Sequence, residues 1–336
     1  MAIREYQPAD EQGALDLLGR CLGAGGGYER SAAFWRWKHQ GSPFGPSQIT
    51  VSVVGEAVVG LRALMPWRIV NDGAFVPAMR AVDAAIDVDY RGQGAYGKLN
   101  RASQERALAS GVQLFMGTPN SNSLPVQVKR GWTVVGRPAL LVRPLSPLAA
   151  LRGLWRARRG RHALTTKLHP GLRPAAEVMA DTAGLDRLQP GIRAWQAGGL
   201  RTERSSAYLR WRYASAPAPE YRALPLTPGG PGTVIVRHRE RDGLRELLLV
   251  ELLPSEPDPK CAQRLVDALF DQVDADYMVA AARPGSLSWT ALRRAGFWPV
   301  SEDRSQIWFT CLPLAGAPPV GELALWQWAL GDFELL

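Results

Sequence analysis

Residues Met79 to Gly131 read MRAVDAAIDVDYRGQGAYGKLNRASQERALASGVQLFMGTPNSNSLPVQVKRG. A run that alternates from Val82 to Val88 leads directly into Arg91-Gly92-Gln93-Gly94-Ala95-Tyr96-Gly97. A polar helical stretch, Tyr96 to Ser110, comes next, and then a short strand, Gln113 to Gly117. Strand, glycine loop and helix in that order present free backbone N–H groups to an anion. The glycines let the backbone approach a ligand because no Cβ intervenes. Arg91 adds a charged fork suited to phosphate. The stretch therefore predicts a site for a phosphate-bearing cofactor.

Two better-known loops do not fit. No Gly-Lys-Ser/Thr ending is present, which excludes a nucleoside-triphosphate loop. Gly92, Gly94 and Gly97 match G-x-G-x-x-G, but a dinucleotide fold needs a hydrophobic parallel strand before it. Here Asp83, Ala85 and Asp87 alternate with Val82, Ala84 and Ile86, the pattern of a strand with two unlike faces.

The Arg-Gly-Gln-Gly-x-Tyr-Gly wording resembles the acyl-coenzyme A loop of the GNAT superfamily of N-acyltransferases, whose members carry Arg/Gln-x-x-Gly-x-Gly/Ala between the fourth strand and a helix. Lys129-Arg130-Gly131-Trp132 fits the same plan. The resemblance implies that Arg91, Gly92, Gly94 and the backbone of Gln93, Ala95, Tyr96 and Gly97 hold the pyrophosphate of acetyl-CoA or another acyl-CoA. It assigns Ile86 to Val88 to the pantetheine arm, which pairs with the fourth strand as an added strand would. Asn120 and Asn122 stand where the family often has a cofactor-touching Asn, a role compatible with capping the next helix.

The chain departs from the family at one position. Many members place a Tyr four residues before the Gly of the last helix, where it protonates the leaving thiolate. That position is Gln127 here, its neighbours Leu124 and Pro125 cannot act as acids, and Tyr96 should point along its helix. For the base, Asp83 and Asp87 fall on one face of the fourth strand, with Asp89 in phase. Either one takes the amine proton if that face lines the cleft, and otherwise the face is simply solvated. A backbone N–H of the fourth strand would polarise the thioester oxygen.

Read in order, the first half gives a strand at Ala2 to Tyr6, a helix from Glu11 to Leu22 behind Asp10, and an aromatic helix from Ser31 to His39. A hairpin spans Gln48 to Val54 and Ala57 to Met65. Trp67 to Val70, the turn Asn71-Asp72-Gly73, and Val76 to Val88 continue the meander. A helix from Ser123 to Arg130 and closing strands from Thr133 to Val142 follow the short strand. This is the GNAT order, and the resemblance covers residues 1 to 145.

Leu148 to Lys167 holds six Lys or Arg and no acid. It reads as a solvated linker, with an interfacial helix facing anionic lipid or an acidic carrier as the sharper alternative. The second half then echoes the first. Tyr208-Leu209-Arg210-Trp211-Arg212 resembles Phe34-Trp35-Arg36-Trp37-Lys38, and Ala291 to Phe297 matches Val126 to Trp132. Ile307 to Leu312 closes the second copy as Leu140 to Arg143 closes the first. Where the loop should stand, Pro254-Ser255-Glu256-Pro257-Asp258-Pro259 offers prolines that lack N–H donors.

The expected fold class is α/β of the mixed α+β kind. It comprises two GNAT-like domains, each a mostly antiparallel mixed sheet flanked by helices, with a splayed strand pair in the N-terminal copy. Residues 1–145 form the loop-bearing domain, 146–200 a basic linker with short helices, and 201–336 a degenerate copy that braces the first and walls the acceptor cleft. Tandem members such as the Eis-like acetyltransferases share this plan, and an apolar tail, Trp326 to Leu336, suits docking.

Composition bounds the rest. No run of about 18 apolar residues predicts a membrane span. Cys21, Cys261 and Cys311 are scattered, which suits a reducing cytoplasm. Neither they nor His39, His162, His169 and His238 show metal-ligand spacing, and each histidine reads as a surface or structural residue. The net charge of +9 is spread along the chain, so no nucleic-acid partner is expected. The expected activity is transfer of an acetyl group from acetyl-CoA to a primary amine of a small molecule, an amino sugar or a peptide amine, by direct attack in a ternary complex. Two alternatives stay open: a longer acyl donor on CoA or an acyl carrier protein, and a non-catalytic acyl-CoA sensor or scaffold.

Overall fold

The computed structural model describes residues 1–22, 30–145, 171–270, 272–301, 305 and 307–333. The basic stretch 148–167 and the last three residues of the tail lie outside them. The first half runs β1 (Ala2–Glu5), α1 (Glu11–Leu22), α2 (Ala32–His39), β2 (Gln48–Val54), β3 (Ala57–Asn71), β4 (Ala74–Ile86), α3 (Ala95–Ala109), β5 (Leu114–Gly117), α4 (Leu124–Lys129), β6 (Thr133–Gly136) and β7 (Leu140–Pro144). The second runs β8 (Arg173–Pro174), α5 (Ala175–Met179), α6 (Thr182–Trp195), β9 (Leu200–Thr202), α7 (Ser206–Leu209) with a π turn (Arg210–Ala214), β10 (Arg222–Ala223), β11 (Gly232–Arg241), β12 (Leu244–Pro254), α8 (Pro259–Phe270), β13 (Tyr277–Ala281), α9 (Leu287–Arg294), β14 (Trp298–Pro299) and β15 (Phe309–Pro313).

These strands make two mixed sheets, ordered β1-β2-β3-β4-β5-β15-β6, with β9 on β3, and β14-β7-β13-β12-β11-β10-β8. The closing strands are exchanged. β7 pairs with β13 and β14 of the second sheet, and β15 inserts between β5 and β6 of the first. This corrects the expectation that each half closes its own sheet. A five-residue strand satisfies its backbone equally well in either sheet, so its own pattern does not select one.

Each sheet turns one face to its own helices and the other to a shared seam. Leu64, Met79 and Phe115 of the first sheet pack with Ala107 of α3. Leu247 and Leu249 of the second pack with Leu265 of α8 and Leu292 of α9. At the seam, Ala78, Val82, Leu114 and Met116 meet Leu248, Val250, Val279 and Ala281 in one core. The tail docks into it: Trp326, Trp328 and Leu330 are buried, and Phe309 of β15 packs edge-on against both tryptophans.

Three local readings shift for physical reasons. β3 runs unbroken through Pro66. On one edge its pairing with β2 ends at Leu64 and its pairing with β9 begins at Ile69, so the proline sits in a gap where an absent N–H is tolerated. Asp10 turns its carboxylate back to the Gln7 amide and to Arg4 at 2.7 Å each, instead of forward onto α1. The region expected as loops and short helices contains the fourteen-residue α6, which carries Pro190 inside it. No helix among the described residues is long and apolar enough to cross a membrane.

Candidate active site

β4 and β5 pair in parallel from Ala78 with Leu114 to Ala81 with Gly117, and then part. Beyond that point Val82 to Ile86 have β3 on one side and an open edge on the other. A bulge lies opposite Arg62 and Ala63, where Asp83 is the extra residue on β4. The Asp87 amide donates to Val59 of β3 at 2.9 Å, so strand alternation turns the N–H and C=O of Ile86 to the open edge. That carbonyl accepts from Arg91 Nε at 2.9 Å and from Cys21 Sγ at 3.4 Å.

The strand stops at Ile86. Asp87 bends the chain into a 3-10 turn (Val88–Tyr90), its carboxylate accepting from the Asp89 amide and from Arg20 at 2.9 Å. Val88 is thus 67% exposed in a turn. It leaves the set of strand residues, and the edge able to pair with an extended arm is Val82 to Ile86.

The loop follows. Gly92 and Gly94 have φ of +76° and +72°, a region that side-chain-bearing residues avoid. Gln93 Nε2 donates to Asp89 O at 3.4 Å, which folds the loop onto the turn. Gly94 is the N-cap of α3, and the first helical bond runs from Lys98 N to Gly94 O. The amides of Ala95, Tyr96 and Gly97 are therefore the free donors of the first turn. Ala95 is buried against Ile86 and Leu99, which fixes the helix start to the end of β4. Arg130 lies 5.3 Å over the Tyr96 ring, and its Nη2 is 3.3 Å from where a Cβ on Gly97 would stand. It adds a second cation beside Arg91, read in the sequence only as part of the motif after α4.

Asn120 Oδ1 accepts from the amides of Asn122 at 3.1 Å and Ser123 at 3.0 Å, which closes the turn into α4. Both asparagines are exposed. Gln127 is buried, and its Oε1 accepts from Thr310 Oγ1 at 2.7 Å. Gln127 thus ties α4 to the exchanged strand β15.

Asp83 faces α2. Its Oδ2 lies 2.7 Å from Lys38 Nζ and 3.0 Å from His39 Nε2. Burial works against its charge, but Lys38 and His39 overcome this and hold the carboxyl far below its usual range. His39, read from the sequence as ordinary, is fully buried, and desolvation lowers its pKa. Facing a carboxylate, Nε2 carries the proton, and Nδ1 accepts from Ser47 Oγ at 2.9 Å. Asp87 is also held ionised, chiefly by its hydrogen bond from Arg20. A small cleft opens beside this group, lined by Leu15, Arg30, Phe34, Lys38, His39 and Asp83.

The second half repeats the arrangement. β12 and β13 pair only from Glu246 with Tyr277 to Leu248 with Val279, and a bulge on β12 follows. Glu251, just past it, accepts from Tyr213 Oη and Arg204 Nε, each at 2.7 Å. Tyr213 occupies the place of His39. The splay is thus present in both copies, while the glycine loop belongs to the first.

Residues 2–135 match the family profile of the acetyltransferase (GNAT) domain. No curated protein sequence matches the chain. Among solved structures, a probable N-acyltransferase from Enterococcus faecalis V583 aligns with a TM-score of 0.62 at 13% identity, covering 93% of this chain and 72% of that one. A GCN5-related N-acetyltransferase from Anabaena variabilis gives 0.62 at 14%, covering 92% and 72%. An N-myristoyltransferase from Saccharomyces cerevisiae, solved with bound myristoyl-CoA and inhibitors, gives 0.57 at 12%, covering 92% and 79%. At these identities the likeness is one of fold, and it extends over both sheets.

Proposed function

We propose that this chain, a tandem GNAT-fold acyltransferase whose residues 2–135 form a GNAT acetyltransferase domain, moves an acetyl group from acetyl-CoA to a primary amine of a small molecule. The observation that carries the reading is the cradle: Gly92 and Gly94 at positive φ, the free amides of α3, and a β4 edge left open by the splay. The amides from Gly92 to Gly97, flanked by Arg91 and Arg130, hold the pyrophosphate. Val82 to Ile86 take the pantetheine amides as an added strand. An N–H of β4 at the bulge polarises the thioester carbonyl.

The acceptor enters the cleft beside α1 and α2. Its nitrogen bonds to the acyl carbon as the C–S bond breaks, and the amine proton passes through water to the departing thiolate. Asp83 and Asp87 keep a narrower role. A carboxylate held below its usual pKa, Asp83 most of all, is a weaker proton acceptor, so each acts as a negative charge that favours the developing ammonium. The second half braces the first through α7 and its π turn, where Tyr208 stacks on Phe44 and Trp211 on Trp37. Three free thiols suit a reducing, cytoplasmic setting.

Calorimetric titration with acetyl-CoA, followed by thiol release with a panel of amines, tests the reading. One site per chain and amine-dependent thiol release support it. Binding only to long-chain acyl-CoA, or turnover only with an acyl carrier protein, replaces the acetyl donor with a longer one. Binding without turnover with any amine turns the chain into a sensor and ends the transferase reading.

A further inference from the structure

β4 carries Arg80 on its seam face. The residue is 1% exposed, and no described residue accepts from Nε, Nη1 or Nη2. Its guanidinium carbon lies 5.3 Å from the Trp67 ring centroid. Across the seam stand Tyr208 Oη and Asp332 Oδ1, both buried and likewise unpartnered among the described residues. Asp332 and Tyr208 are the groups whose charge and phenol act most on Arg80. Burial pushes the Arg80 pKa down to about 10, so the side chain remains a cation at neutral pH.

The described carboxylates in this part of the seam, Glu251 and Asp332, both already accept from Arg204, each at 2.7 Å. A buried guanidinium without a hydrogen-bonded anion is costly. Its planar fork matches a carboxylate in two parallel hydrogen bonds.

The position is equally informative. Arg80 pairs in register with Met116, one step before β4 and β5 part at Ala81 and Gly117. It lies three residues before Asp83, within about 10 Å along the strand at roughly 3.3 Å per residue. Arg80 therefore lies where the splay between β4 and β5 begins.

We propose that Arg80 receives a carboxylate carried by the acceptor, with Tyr208 Oη as a second donor, so that the acceptor is an amino acid or related amino carboxylate. The proposal rests on the transferase reading above. It names the substrate class of that same site: the amine nitrogen is acylated, the thiol of CoA is released, and the carboxylate is unchanged.

Thiol release with an amino acid and with its carboxamide tests it. The wild-type chain should favour the acid in kcat/KM by about ten- to a hundredfold. In Arg80→Met that advantage should vanish, and Arg80→Lys should restore part of it. Equal preference in wild type and Arg80→Met overturns the proposal. Turnover of uncharged amines alone overturns it while leaving the transferase intact.

A second measurement needs no turnover. Acetate should raise the melting temperature of the wild type and leave Arg80→Met unmoved, because only the former offers the anion a partner. Equal responses, or none in either, overturn the anion site. A chain cut after Phe333 that gains an acetate response absent from the full chain gives Arg80 a different occupant and also overturns the acceptor assignment.

Discussion

Trp37 and Trp211 hydrogen-bond to each other reciprocally. Each indole Nε1 donates to the other's backbone carbonyl, at 2.8 and 2.9 Å, and the rings lie 5.2 Å apart within 20° of parallel. Two residues on from each tryptophan stand His39, bonded to Asp83, and Tyr213, bonded to Glu251. The repeat is therefore visible in paired interactions as well as in sequence.

Trp37→Phe removes one donor and leaves the buried Trp211 carbonyl without its partner. The expected loss is about 1–3 kcal/mol of stability. Urea unfolding of Trp37→Phe, Trp211→Phe and the double variant should show a coupling of at least about 0.5 kcal/mol. Additive losses would mean the two contacts are independent.

Gly94→Ala places a Cβ at φ +72° in otherwise open space, so its effect isolates backbone strain. About 1–2 kcal/mol of destabilisation is expected. Gly94→Glu adds a negative charge where pyrophosphate is proposed, and acetyl-CoA affinity should fall at least tenfold or so by calorimetry. Unchanged affinity would move the cofactor away from the loop.

Asp83→Asn leaves Lys38, whose side chain is 6% exposed, without its charge partner. Stability should drop by about 3–5 kcal/mol, and kcat/KM should fall with it. Adding Lys38→Met should recover much of the stability. If turnover recovers in parallel, Asp83 is only structural. If turnover stays low, its charge acts on the reaction.

His39 is buried and neutral, with a pKa below its ordinary value near 6.5. The unfolded chain therefore binds a proton that the folded chain refuses. Stability is present above about pH 6.5 and declines as pH falls through the window down to the lower folded value. Urea midpoints measured at falling pH should show that decline, and His39→Gln should flatten it.

Several features were legible in the sequence because their signals are local. The loop of Gly92 and Gly94 needs positive φ, the hairpin turn at Gly55 has its own composition, and the Trp37 and Trp211 segments repeat as short words. Other features depend on partners distant in the chain. Nothing near Leu140 or Phe309 says which sheet will receive it. Arg80 alternates with apolar neighbours as a solvated residue would, and only the docking of β12, α7 and the tail buries it. His39 looks ordinary until Asp83 and Ser47 close on its two nitrogens. Asp83 and Asp87 alternate in the sequence as if on one continuous strand, whereas Asp83 is the extra residue of a bulge and Asp87 caps the turn after β4, and the cations beside them come from α2 and α1.

The exchange of β7 and β15 makes the two halves interdependent as folding units. A fragment ending at residue 145 would carry a strand meant for the other sheet and lack Phe309–Pro313, which separates β5 from β6 in its own. Separately expressed halves should be aggregation-prone through their unpaired edges. Produced together and cut within 146–170, they should reassemble into a non-covalent heterodimer, which makes the chain a natural starting point for split-protein reconstitution.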